Sequence, residues 1–307
     1  MKPIRCIVAG VAELVDDDPT LLLALDLAHR TDATLHLVHA FQLPQLFTLS
    51  PGLEMMYPEG TEQYRVQMQE LLESVVRRNP LGERAVCHAI VGSPGQVLPD
   101  CAEQLRAELV IVGAAGRKRR GILGTTAQRV LRAAHMPVLV ARESLHRRPA
   151  RVLLTTDLSE LSASVQERAL DVVEALYGAD STQLRSLLVL TLGVMPPQFP
   201  EGSLQRAAGG ELDRFLLRRR ARPNPVQPAV RVGNAAAEIV DEAHDWNADL
   251  LVVGTHARHG VSRVLLGSVA EVCIRDAPCS VLAVPPVRMP APAHAPRAST
   301  HAAAVLV

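Results

Sequence analysis

"VVGTHARHGVSRVLLGSVAE" (residues 252–271) runs from an apolar strand-like pair through glycine, a basic loop and a Gly-Ser step into an apolar pattern of helical period. Residues 111–130, "IVGAAGRKRRGILGTTAQRV", are a near repeat. The later copy is spaced Gly254, two residues, Ala257, nine residues, Gly267 and Ser268; the earlier is Gly113, two residues, Gly116, seven residues, Gly124 and Thr125. A strand that ends in glycine and enters a helix through Gly-Ser or Gly-Thr offers unpaired backbone N–H groups and the positive end of a helix dipole. Glycine adds close backbone approach and access to positive φ. Both properties suit an anion, phosphate above all. Neither copy is a Walker loop, because G-x-x-x-x-G-K-[ST] and its lysine are missing. The same residues also suffice for a plain, tight turn from strand to helix.

Outward from these loops, the whole chain repeats. The first half reads strand "RCIVAG" (5–10), a helix opened by Asp18 and Pro19, strand "TLHLVHAF" (34–41), a helical pattern near 61–79, and strand "RAVCHAIVG" (84–92). Helix "PGQVLPDCAEQLR" (94–106), strand "ELVIVG" (108–113), the loop, helix "TAQRVLRAA" (126–134) and strand "PVLVAR" (137–142) complete it. The second half answers with "RVLLTTD" (151–157), helix 162–178, strand "SLLVLTLG" (186–193), a helix near 203–220, strand "PAVRVG" (228–233), helix 235–247, strand "DLLVVG" (249–254), loop, helix and strand "CSVLAV" (279–284). Short β-branched strands alternating with helices give a parallel sheet covered on both faces. The expected fold class is therefore α/β, two tandem doubly wound domains of five parallel strands. Their expected bounds are 1–145 and 146–287, split in the charged, proline-bearing "ESLHRRPA" (143–150), with 288–307 a mobile Pro- and Ala-rich tail.

Composition is that of an ordinary globular protein: 48% hydrophobic and 21% charged residues, with 32 basic against 32 acidic side chains. That balance gives no basic field for nucleic acid, so none is expected as a partner. Five cysteines, Cys6, Cys87, Cys101, Cys273 and Cys279, form no C-x-x-C pair and read as core residues in a reducing compartment. The chain starts a strand almost at once, lacks a signal-peptide pattern, and has no stretch near the roughly 20 apolar residues of a membrane span. A cytoplasmic location without membrane contact is expected.

Both halves resemble the universal stress protein family, whose nucleotide-binding members carry G-x-x-G-x9-G-[ST] at this place. The resemblance covers the tandem loops, the element order and the duplication. It implies a strand order of 3-2-1-4-5 and ATP, with Mg2+, above the carboxyl ends of the strands. It further implies an Asp after the first strand at the adenine end. Carried over, Asp157 in "LLTTDLSE" matches that Asp, with Thr156 beside it; Gly254, Gly267 and Ser268, with Val269, match the phosphate motif, and Ala257 replaces its second glycine. Leu192 is expected beside the adenine. The first half, with Gly113, Gly116, Gly124 and Thr125, is the weaker site: its loop is two residues shorter, and Val11 is placed where the second half has Asp157. Similar proteins pair their last strands antiparallel across a two-fold, so the two halves are expected to pair as a pseudo-dimer within one chain, leaving a further homodimer open.

Other residues draw plainer readings. The run Arg117, Lys118, Arg119 and Arg120 suits either phosphate neutralisation or a solvated tip, and Arg218, Arg219, Arg220 and Arg222 compensate a helix C-terminus. His256 and His259 flank the second loop, and His36 and His39 fall on opposite faces of one strand, so those two cannot share a metal. No metal site is expected. Ser159 reads as a helix cap. With no evident catalytic base, slow or no ATP hydrolysis is expected of a stress-response regulatory module with an unidentified protein partner. The alternative is a nucleotide-free scaffold acting through protein contacts.

Overall fold

The computed structural model describes residues 3–42, 58–114, 124–142, 149–178, 182–191, 202–218, 224–255 and 266–286. In the first half, β1 (Cys6–Gly10), β2 (Thr34–Phe41), β3 (Ala85–Val91), β4 (Leu109–Gly113) and β5 (Val138–Ala141) alternate with α1 (Pro19–Thr31), α2 (Pro58–Arg77), α3 (Pro94–Gln104) and α4 (Thr125–Ala133). The second half contributes β6 (Arg151–Thr156), β7 (Gln183–Leu190), β8 (Val226–Val232), β9 (Leu250–Gly254) and β10 (Ser280–Val284), with α5 (Glu160–Tyr177), α6 (Ser203–Leu217), α7 (Ala235–Asp245) and α8 (Ser268–Asp276).

All ten strands form one sheet in the order β3-β2-β1-β4-β5-β10-β9-β6-β7-β8, so each half keeps the order 3-2-1-4-5. Strands pair in parallel within each half, and β10 pairs antiparallel with β5, setting Leu282 opposite Leu139 and Val281 opposite Val140. The last strands, which would be exposed edges in an isolated half, therefore lie in the middle of the sheet. Val140 and Val281 are fully buried there. Full burial of such a side chain is worth about 1.5–3 kcal/mol.

One core lies on each face of the sheet, and each runs through both halves. The first gathers α1, α2 and α5 side chains such as Leu25, Leu72 and Leu170; the second gathers α3, α4, α7 and α8 side chains such as Leu98, Val130, Ala243 and Ile274. Near-continuous apolar strands such as "LVIVG" and "LLVVG" fit this two-sided burial. Arg142 ties the halves together at the seam. Its backbone N–H donates to Ser280 Oγ at 2.9 Å, and its Nη2 donates to the α8 carbonyls of Ile274 and Arg275 at 2.9 and 2.7 Å. Arg132 and Glu271 approach to 3.7 Å across the same junction.

Local signals act as the sequence implies. Asp18 accepts from Leu21 N–H at 2.8 Å as the N-cap of α1, and Ser159 caps α5 by accepting from Ser162 N–H at 3.1 Å. Strand β7 is the main departure. It starts at Gln183 and ends at Leu190, earlier than the apolar run 186–193, because Arg185 is carried inside the strand by a 2.7 Å ion pair with Glu242 and by stacking on Trp246. Glu242 also takes Arg231 at 2.6 Å, making a charged cluster against the outer strands of the second half.

His36 and His39 have separate partners, His88 at 3.0 Å and the Val11 carbonyl at 3.0 Å. Among the described residues no group of three metal-ligating side chains forms, and no helix is long and apolar enough to cross a membrane. Cys101, Cys273 and Cys279 are buried, and burial pushes the Cys273 and Cys279 thiols up to about 12, the state of unreactive core residues. Leu192, Ala257, Gly116, His256, His259, the basic run at Arg117 to Arg120, Arg219, Arg220, Arg222 and 288–307 lie outside the described residues; Arg218 closes α6.

Candidate functional site

In an open α/β sheet, ligands bind outside the carboxyl ends of the strands where the strand order reverses. In the second half that point lies between β6 and β9, whose pairing stops at Leu154 and Val252. The chain leaves β6 through Thr156 and Asp157, both half-buried, and leaves β9 through Gly254 and the buried Thr255. The Gly267 N–H, at the start of α8, donates to the Thr255 carbonyl at 3.0 Å, joining the end of β9 to the helix start. Among the described residues no side chain caps α8, whose first residues, Ser268 and Val269, are exposed. Thr156, Asp157, Gly254, Gly267, Ser268 and Val269 thus belong to strand ends and a helix start flanking one switch point.

The first half repeats this bond. Gly124 N–H donates to the Ala114 carbonyl at 2.8 Å, and α4 likewise starts at Thr125 with no side-chain cap among the described residues. Its two missing loop residues leave this bond intact. The glycines follow a simpler rule than positive φ. Gly124 and Gly267 have φ of −63° and −61°, and neither Gly113 nor Gly254 has a left-handed backbone. What glycine offers here is absence of a side chain.

The sheet register allows the halves to be compared residue by residue. Ile7 faces Leu109 and Val152 faces Leu250, so Ile7 corresponds to Val152, Gly10 to Thr155, Val11 to Thr156 and Ala12 to Asp157. This corrects the match of Val11 with Asp157 by one residue, because strand pairing fixes the correspondence from inside β1 and β6. The carboxylate is missing either way.

Packing separates the two ends further. A Cβ on Gly10 would lie 2.5 Å from Leu98 Cδ1, so Leu98 occupies the space that a side chain there would need; the second half carries Thr155 at that place. A Cβ on Gly113 would meet Thr20 Oγ1 at 3.0 Å, while one on Gly254 would touch Val165 only at an ordinary 3.6 Å. Val11 is buried where Thr156 is half-buried.

Around Asp157 the polar groups are mutually oriented. Its Oδ1 accepts from Ser159 Oγ at 2.5 Å and Ser159 N–H at 3.0 Å. Thr156 Oγ1 accepts from Leu158 N–H at 3.0 Å and lies 3.0 Å from Ser162 Oγ. Leu158 takes the left-handed conformation with φ 63°, which turns the chain sharply from β6 into α5. This arrangement holds a carboxylate and a hydroxyl at one side of the switch point and helix amides at the other. Thr155, Ser162, Gln166 and Ser186 complete it and were not distinguishable in the sequence, where each is one more polar residue in an amphipathic or apolar run.

Comparison with known proteins agrees with this architecture. Residues 3–142 and 150–285 each match the model described as Universal stress protein family. A universal stress protein of Mycobacterium tuberculosis strain H37Rv is 31% identical over 205 residues, 61% of this chain and 68% of that protein. One from Methanocaldococcus jannaschii is 52% identical over 52 residues, 17% of this chain and 31% of its own. Among solved structures, a Pseudomonas aeruginosa protein assigned to the same family covers 92% of this chain and 94% of its own, at TM-score 0.65 and 18% identity. A universal stress protein from Archaeoglobus fulgidus covers 92% and 96%, at TM-score 0.58 and 16% identity. These two structures speak to the fold alone. With the family pattern matched once in each half and the strand order repeated on both sides of the seam, the chain belongs to the universal stress protein family as a tandem of two such units.

Proposed function

We propose that this protein is a nucleotide-dependent regulatory module of the stress response that holds ATP, with Mg2+, in its second half, while the first half serves as its pseudo-dimeric structural partner. The asymmetry of the two switch points carries this reading. Both ends share a glycine-led helix start, but one has Asp157 and a half-buried Thr156, whereas the other has Ala12, a buried Val11 and Leu98 packed against Gly10. Charge-assisted contacts are commonly worth about 1.5–3 kcal/mol each, so lacking even one weakens affinity by about 10- to 150-fold. Asp157 is oriented by Ser159 as a hydrogen-bond acceptor, a recognition role, and hydrolysis is slow or absent in this reading.

Isothermal titration of the intact chain with ATP and Mg2+ tests it. The expected stoichiometry is near one per chain, and two equal sites would sink the asymmetric reading. A scaffold that works without nucleotide is the second reading. It is favoured by the way Asp157 is already engaged within its own turn and by Ala257 at the motif's second glycine. Absence of binding heat, together with absence of nucleotide in the denatured purified protein by mass spectrometry, selects it.

A further inference from the structure

We propose that Gln166 and Ser186 are positioning residues for the second half's switch point: a buried amide and hydroxyl that set the end of β6, and with it Thr156 and Asp157. The inference rests on the reading that this switch point is the binding site. Gln166 lies on α5 and is 3% exposed; Ser186 lies on β7 and is fully buried. Gln166 Nε2 donates to Ser186 Oγ at 2.9 Å and to the Thr155 carbonyl at 3.1 Å.

The duplication supplies an internal control. Gly254 faces Val165 as Gly113 faces Thr20, so Gln166 takes the place of Leu21. Val152 pairs with Leu184 as Ile7 pairs with Leu35, so Ser186 takes the place of Leu37, just as Thr155 takes that of Gly10. Leu21 and Leu37 are both in the hydrophobic core of the first half. The fold therefore does not require polar atoms at these positions, and burying them carries a desolvation cost that leucine avoids. The second half bears that cost directly beneath the strand end that carries Asp157.

The gain is directional. Apolar contacts let a strand end shift by small amounts, whereas hydrogen bonds fix distance and angle. Thr155 is held twice, its carbonyl by Gln166 and its Oγ1 donating to the Val252 carbonyl of β9 at 3.1 Å. The next residue, Thr156, holds the left-handed turn at Leu158 through the Leu158 N–H, and Asp157 lies inside that turn. A continuous set of contacts thus runs from the core amide to the carboxylate.

The test is the double variant Gln166→Leu with Ser186→Leu, which restores the first half's apolar pair and removes both side-chain partners together. Thermal unfolding should stay within a few degrees of wild type, amide exchange of residues 155–159 should accelerate several-fold, and Mg-ATP affinity should fall at least tenfold. Wild-type exchange at 155–159 overturns the proposal whether or not ATP binds. Wild-type Mg-ATP affinity in the variant overturns it as well, while absence of ATP binding to the unmodified protein refutes the nucleotide reading separately, the exchange result still deciding whether the pair positions the turn. Should the double variant fail to fold, Ser186→Ala removes only the hydroxyl. Exchange at 155–159 then rises by a smaller factor, and an unchanged rate overturns the assignment.

Discussion

Replacing Arg142 by alanine isolates the side-chain clasp between the two halves, because the Arg142 N–H that donates to Ser280 Oγ remains. The substitution deletes two charge-assisted hydrogen bonds to the last turn of α8, at Ile274 and Arg275. Such bonds are commonly worth about 1.5–3 kcal/mol each, and a cation at a helix C-terminus adds about 0.3–1 kcal/mol. Against this, the guanidinium is partly desolvated, and burial draws its pKa below the ordinary arginine value. Half exposure also screens the charge. The net expectation is a loss of about 2 kcal/mol, read as a lower midpoint in equilibrium urea denaturation with an unchanged slope. Arg142→Lys keeps the charge but not the planar fork, and should recover about half of it. A loss below about 0.5 kcal/mol for the alanine variant, or equal losses for alanine and lysine, would refute the clasp as a stabilising contact.

Further perturbations address the sites separately. Gly267→Val is compatible with the local φ of −61° and ψ of 141°, so the fold should persist while ATP binding is lost; Gly124→Val should leave binding intact, and the reverse pattern in titration would move the ligand to the first half. Glu242→Gln removes the buried negative charge between Arg185 and Arg231 and should cost about 2 kcal/mol in urea denaturation; unchanged stability would show that the cluster contributes nothing net. Burial lowers the pKa of both His36 and His88 below their ordinary 6.5, so the unfolded chain binds protons more readily. This contribution is complete above about pH 6.5 and is lost as pH falls through the folded values. His88→Gln should flatten the decline of the urea midpoint on acidification, and an unaltered slope would exclude the pair as its source.

What was legible in the chain before folding was what is coded locally or by repetition. Short apolar strands such as "LVIVG" and "LLVVG", two glycine loops, Asp18 before Pro19 and Ser159 before α5 declare elements, caps and duplication from neighbouring residues alone. The places of Asp157 and Gly254 at strand ends, and of Gly267 and Ser268 at a helix start, were legible because the repeat defines those boundaries.

Tertiary structure decided matters that depend on residues far apart in the chain. Arg185 enters β7 only because Glu242 and Trp246 await it, and Leu98 of α3 fills the space beside Gly10 that the second half gives to Thr155. The counterpart of Asp157 proved to be Ala12 through the register of β1 against β4 and of β6 against β9, which the sequence does not display. Gln166 and Ser186 looked like ordinary polar residues until the helix laid one over the other inside the core. Helical period and capping act over a few residues and survive in the sequence. Side-chain partnership depends on which surfaces the sheet brings together, and that is settled only when backbone pairing, burial and hydrogen bonding are satisfied at once.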